Sequence, residues 1–197
     1  KTIDIKPYVA EFQNHADTIL EDIITNRFDS VKNGLKKILL VNPLQIPSNF
    51  FDIGMAKRRR YFSYPPYGLG LISTELKSKG FEVEIIDLNY LTLSNPEIFA
   101  ANKDNFEHDE LRKIIETFKP DVIGITCMFT LTHDSFKKEI QIIKDVNSDL
   151  IVFAGGVHIT NDPDRIIKEI PEIDYILPHE SEIEFSDLLI AINKKVF

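Results

Sequence analysis

Five short runs of aliphatic and β-branched residues, parted by amphipathic segments, constrain this sequence more than any other feature. They are Lys37-Ile38-Leu39-Leu40-Val41, Val83 to Ile86, Val122-Ile123-Gly124-Ile125-Thr126, Ile151-Val152-Phe153-Ala154 and Tyr175-Ile176-Leu177. None alternates strictly between apolar and polar residues, as expected of strands covered on both faces, where neither side needs a solvated row. The intervening segments carry helix punctuation. Pro66 opens one, with Leu69, Ile72 and Leu76 on its apolar face and Gly80 suited to the left-handed cap that ends it. Asp109 is placed to cap the next, where Leu111, Ile114, Ile115 and Phe118 recur at helical spacing before Pro120. Phe136, Ile140 and Ile143 define a third, and Asp162-Pro163 begins a fourth carrying Ile166, Ile167 and Ile170. Ser181 and Glu184 have capping-box spacing ahead of Phe185, Leu188, Leu189 and Ile192.

Strand and helix alternating in this way require right-handed crossovers and predict an α/β fold: a doubly wound, parallel, five-stranded sheet of Rossmann-like (flavodoxin-like) type, in the order 2-1-3-4-5. This domain is expected over residues 36–197. Residues 1–35 read as an N-terminal helical extension, because Tyr8, Phe12, Ile19 and Ile23 fall at helical spacing ahead of Asn33-Gly34. Ligands of such sheets bind beyond the carboxyl ends of the strands. Here that rim comprises Asn42-Pro43, Cys127 to Thr132, Gly155 to His158 and Pro178 to Ser181.

Composition narrows the partners. Among 197 residues, 31 Asp and Glu face 23 Lys and Arg, a net charge of −8 that argues against general nucleic-acid binding. No apolar run approaches the roughly 18–20 residues of a membrane span. The single cysteine, Cys127, provides neither an internal disulfide nor a multi-cysteine metal site, and this cysteine usage suits a reducing cytoplasm. The chain begins with Lys1, shows no secretion leader and reads as part of something longer, with Asn193-Lys194-Lys195 as an interdomain exit.

Several rim residues admit two readings. The connection from Asn42 to Pro65, about 24 residues, is far longer than most links between a strand and a helix. It carries Lys57-Arg58-Arg59-Arg60 beside Tyr61, Phe62, Tyr64 and Tyr67. That is either a lid over a large flat ligand or a solvated charge cluster beside a loop core. Gly155-Gly156 is either a tight turn or a place for close ligand approach. Cys127 is a nucleophile or, more simply, a small buried thiol; His158 is a ligand contact or a hydrogen-bonded structural residue. A metal site from His158, His179 and Glu180 matches no ligand template, so no metal ligands are assigned. Neither a G-x-x-x-x-G-K-[ST] loop nor a G-x-G-x-x-G after the first strand is present; Gly68-Leu69-Gly70 lies in a helical stretch.

The ordered set Tyr64-Pro65-Pro66-Tyr67-Gly68-Leu69-Gly70-Leu71-Ile72, Leu76 to Gly80, Phe81 to Asp87, Lys119 to Ile125, Ala154-Gly155-Gly156-Val157-His158 and Glu172 to Tyr175 resembles the amino-terminal cobalamin-binding domain of radical S-adenosylmethionine enzymes. That group includes anaerobic Mg-protoporphyrin ester cyclases and corrinoid-dependent methyltransferases, and the likeness covers roughly residues 36–192. The resemblance implies base-off cobalamin with its dimethylbenzimidazole tail in the carboxyl edge of the sheet, bound by a domain that serves methyl transfer or cyclisation. By position, Thr126 to Thr130, with Cys127 and Met128 between them, line the tail pocket, Gly155 and Gly156 pass the nucleotide loop, and Asn42, Pro43 and the long lid, Tyr64 included, face the corrin. His158, His179 and Glu180 complete the cofactor-binding set, and no residue is assigned a catalytic role. The D-x-H-x-x-G of methionine-synthase-type domains is missing, since Asn42, Leu44 and Pro47 stand there, so no histidine ligand to cobalt is expected. His179 and Ser181 stand where the family commonly has glycines and are expected to narrow the pocket. The radical domain's C-x-x-x-C-x-x-C motif is absent, so S-adenosylmethionine and a 4Fe-4S cluster are expected only on a C-terminal partner domain. The alternatives are a non-enzymatic flavodoxin-like nucleotide-binding or regulatory module, and a transferase using His179 and Glu180 as acid and base.

Overall fold

The structure is a computed structural model that describes residues 34–196. The expected N-terminal helical extension lies, apart from Gly34 and Leu35, outside the described residues. Those described fall into two units, Leu35–Asp187 and a second represented by Gly34 and Leu188–Val196. The sheet belongs to the first.

Strands β1 (Lys37–Asn42), β2 (Glu82–Asp87), β3 (Val122–Thr126), β4 (Ile151–Gly155) and β5 (Tyr175–Leu177) pair in parallel in the order β2-β1-β3-β4-β5. This is the predicted order. The helices are α1 (Ile53–Lys57), α2 (Tyr67–Ser78), α3 (Leu88–Ser94), α4 (Pro96–Ala101), α5 (Phe106–Phe118), α6 (His133–Val146), α7 (Val157–Asn161), α8 (Pro163–Glu169) and α9 (Glu182–Val196).

The lack of alternation has its predicted cause in β1, β3 and β4, where Ile38 to Val41, Val122 to Ile125 and Ile151 to Ala154 are buried on both faces, whereas the edge strand β2 exposes Glu82, Glu84 and Ile85 and the edge strand β5 is only half-buried. On one face Leu39, Val41, Ile123, Ile125, Val152 and Ala154 pack against Leu111 and Ile115 of α5, Phe136, Ile140 and Ile143 of α6, and Ile166 of α8. Each of these Val, Leu, Ile and Phe side chains contributes about 1.5–3 kcal/mol on burial. On the opposite face Leu40 and Phe185 close over Gly124, where an added Cβ would lie 2.8 Å from Leu40 Cδ2 and 3.5 Å from Phe185 Cε1.

Local chemistry sets the ends of the elements. Helix α2 closes in a Schellman motif: Gly80 at φ +93° donates its N–H to Lys77 O, and Phe81 donates to Leu76 O. Helix α5 begins at Phe106, not at the expected Asp109 cap. Phe106 is drawn into a small core with Phe99 and Phe51, which extends the helix and leaves Asp109 in its first turn. The long connection after β1 folds on itself, with a 3₁₀ turn at Ser48–Phe50 and then α1. Leu44, Phe51 and Ala56 pack there against Phe99 and Phe106. Tyr61 stacks on Phe51 at 5.9 Å, and its hydroxyl accepts from Asp52 N and donates to Phe50 O. Helices α3, α4 and α7 went unpredicted, being too short for apolar periodicity to register.

Candidate functional site

At the carboxyl ends of β1, β3, β4 and β5 a cavity of about 920 Å³ opens on the face of the sheet that carries Leu40 and Phe153. Its floor is apolar: Leu40, Gly124, Phe153, Leu177 and Phe185. The strand termini Asn42, Thr126, Gly155 and Gly156 edge it, while Tyr64, Tyr67, Met128 and Phe129 stand exposed around the mouth. A broad apolar slot with few polar groups is the usual form of a cofactor or small-molecule site.

The predicted residues divide into two groups. Asn42, Tyr64, Thr126, Met128, Gly155, Gly156, His179 and Glu180 line the cavity; Pro43, Cys127, Thr130 and His158 are not among its lining residues. Asn42 is buried, and its Nδ2 donates to Asp87 Oδ1 at 2.9 Å, tying the ends of β1 and β2 together. Cys127 is buried, with its Sγ 3.5 Å from Phe129 O and 3.8 Å from Thr132 Oγ1. Burial pushes its pKa up to about 11, so at neutral pH it is a thiol and not a nucleophilic thiolate.

His158 is a structural hub. Its ring joins Thr130 Oγ1 (3.1 Å) to His133 Nδ1 (3.0 Å), and His133 Nε2 in turn reaches Glu169 Oε1 at 3.0 Å. Burial, reinforced by the adjacent His133, holds the His158 pKa below the ordinary imidazole value. This chain of contacts fixes Thr130 beside the lining residues Met128 and Phe129.

Gly156 has a reason internal to the protein. At φ +108°, a Cβ there would lie 2.5 Å from Cys127 O and 2.8 Å from Thr126 Oγ1. The β4 turn crosses the end of β3 that closely, and His158 N donates to the same Cys127 O at 3.1 Å. His179 occupies a left-handed conformation, φ +60°, of the kind glycine adopts without strain. Thr160 Oγ1 accepts from its N–H at 2.9 Å, and the residue stays exposed at the cavity edge.

Sequence reasoning passed over Gly68, Phe153, Leu177 and Phe185 as lining residues. Gly68 lies in the first turn of α2, and nothing stands within 4 Å of where its Cβ would be. The rim segment after β1 is held from behind: Leu44 N donates to Glu139 Oε1 (2.9 Å) and Gln45 N to Asn89 Oδ1 (3.3 Å). Among the described residues no group of three or more His, Cys, Asp or Glu is arranged to hold a metal ion, and no helix is long and apolar enough to cross a membrane.

Residues 55–189 match the model of a family described as the B12 binding domain. The chain is 28% identical over 130 residues to an uncharacterized methyltransferase of Pyrococcus horikoshii, covering 66% of this chain and 25% of that protein. To the anaerobic magnesium-protoporphyrin IX monomethyl ester cyclase of Rubrivivax gelatinosus it is 27% identical over 135 residues, covering 68% and 22%. To the cytidylyl-2-hydroxyethylphosphonate methyltransferase of Streptomyces wedmorensis it is 26% identical over 154 residues, covering 76% and 27%. The chain thus spans about a quarter of the length of these curated relatives. Among solved structures, a CheY-like protein of Pseudomonas aeruginosa shares the fold, with TM-score 0.50, 11% identity, and coverage of 80% of this chain and 98% of that one. A cobalamin-binding protein of Desulfitobacterium hafniense aligns with TM-score 0.49 and 15% identity, covering 90% and 68%.

Proposed function

The chain belongs to the B12-binding domain family, and from that premise we propose that the cavity at the carboxyl edge of the sheet takes the dimethylbenzimidazole tail of cobalamin in its base-off form. The observation that carries this reading is the apolar lining of the cavity. Leu40, Gly124, Phe153, Leu177 and Phe185 give it an apolar surface suited to a flat aromatic base. His179, although larger than glycine, stands exposed at the edge and leaves about 920 Å³ open.

In this reading Thr126 and Gly155 border the tail, and Tyr64, Tyr67, Met128 and Phe129 shield the mouth from water. The end of β1 offers the cobalt no histidine ligand, because none lies between Asn42 and Tyr67. Bound cobalamin would supply methyl-carrier or electron-transfer chemistry, while these residues bind, orient and exclude solvent. The whole protein is a radical S-adenosylmethionine methyltransferase or cyclase whose S-adenosylmethionine and 4Fe-4S cluster sit on a separate domain. The methyltransferase and cyclase relatives support this assignment, and Cys127 alone holds no cluster.

Titration with hydroxocobalamin followed by desalting tests the binding reading. Expected are co-elution near one equivalent and a changed corrin absorbance. An unaltered free-ligand spectrum with no co-elution overturns it, and retention of flavin or nucleotide in its place assigns the cavity to the flavodoxin-like alternative.

A further inference from the structure

Glu139 lies fully buried on α6, on the side of the rim segment away from the cavity. Its Oε1 accepts from Leu44 N, and its Oε2 has no hydrogen-bond partner. The next amide along, Gln45 N, is held by Asn89 Oδ1 of α3, also fully buried. Two consecutive backbone amides of the segment leaving β1 therefore rest on interior side chains from two different helices. Asn42 and Gln45, at either end of that stretch, line the cavity; Leu44 between them is buried in the small core with Phe51, Phe99 and Phe106. An interior carboxyl has to offset its own desolvation, so its presence here calls for a use that alanine or leucine would not serve.

We propose that Glu139 is a positioning residue for the cofactor cavity: through Leu44 it fixes the backbone after β1, and so the wall that Asn42 and Gln45 present to the ligand. This rests on the cobalamin reading for the identity of the ligand, but not for the positioning itself. The groups that face Glu139 are Glu107 of α5, Lys138 of its own helix and the Cys127 thiol after β3. Lys138 pairs with Glu107 and is thereby engaged elsewhere. Burial, with the Glu107 charge adding to it, raises the Glu139 pKa well above the carboxylate range, which favours its neutral acid form.

The test compares the wild type with Glu139→Gln and Glu139→Ala in three measurements. Glutamine keeps the acceptor for Leu44 and carries no charge. In native-state amide exchange, alanine is expected to speed exchange at Leu44 and Gln45 by tenfold or more relative to the strands, whereas glutamine is not. A neutral acid in the folded state that ionises on unfolding makes the folding equilibrium fall as pH rises, by up to about tenfold per pH unit. As pH rises above the ordinary carboxylate range that component is expected in the wild type and absent from Glu139→Gln. Hydroxocobalamin retention is expected to fall several-fold in Glu139→Ala and to persist in Glu139→Gln. Wild-type exchange at Leu44 in the alanine variant, or exchange there as fast in the glutamine variant as in the alanine one, overturns the proposal. If the wild type itself retains no cobalamin, the functional reading falls, and the exchange measurement still decides the role of Glu139.

Discussion

Glycines at the rim do different work, and substitution separates them. Gly156 combines a left-handed backbone with a carbonyl 2.5 Å from where a Cβ would sit, so Gly156→Ala is expected to destabilise the protein by about 2–4 kcal/mol, read as a lowered urea midpoint without any ligand. A wild-type midpoint would show that the β4 turn can move off Cys127. The sequence pair Gly155-Gly156 suggested a turn or a close approach to a ligand, and the structure supplies an approach of the chain to itself. Gly68 is the contrasting case, being helical, at the cavity and with open space around its missing Cβ. Alanine there should favour the helix by about 0.5–1 kcal/mol in the apoprotein. If the cofactor approaches α2 that closely, the same change lowers hydroxocobalamin retention, and unaltered retention places the ligand elsewhere in the cavity. Neither distinction was legible in the sequence, because a glycine records only that a side chain is missing, not which neighbour excludes it.

Among the elements, the short ones shape the site. Strands and long helices announce themselves by burial and period, whereas α7 is a single turn whose placement follows from Gly156 turning over Cys127. That turn sets His158 between Thr130 and His133 and links the β3 loop to α6 and, through Glu169, to α8. His158 was legible as a residue near a strand end, but the relay required three elements to converge. The shift of its pKa gives a sign. A histidine whose folded pKa is depressed contributes stability that is present above its unfolded value near 6.5 and is lost as pH falls through the folded value. Urea midpoints are therefore expected to drop between pH 7 and pH 5 by a component that His158→Gln removes. This runs opposite to the Glu139 contribution, so the comparison is of variant against wild type and not of raw profiles. Identical slopes for His158→Gln and the wild type would mean that the ring protonates as freely folded as unfolded.

At the scale of the whole molecule, the strand order was readable because parallel strands buried on both faces have few ways to connect, and right-handed crossovers remove most of those. The apolar floor of the cavity was not readable. Leu40, Gly124, Phe153, Leu177 and Phe185 come from four strands and a helix, each looking in isolation like ordinary core. That floor governs how the protein should respond to its ligand. Binding to the folded state alone stabilises it by about 2.7 kcal/mol at a hundredfold excess of ligand over Kd. A slot of this polarity draws mainly on apolar contact, which salt does not screen, and the chain's net charge of −8 offers no field to steer a cofactor in. Saturating hydroxocobalamin is thus expected to raise the thermal unfolding midpoint by several degrees, and the rise should be nearly the same at 50 mM and 500 mM salt, on the order of tenfold apart in screening ions. A rise that vanishes in high salt would place the corrinoid on the exposed Lys57 to Arg60 run instead of in the cavity, since only surface ion pairing fades that way.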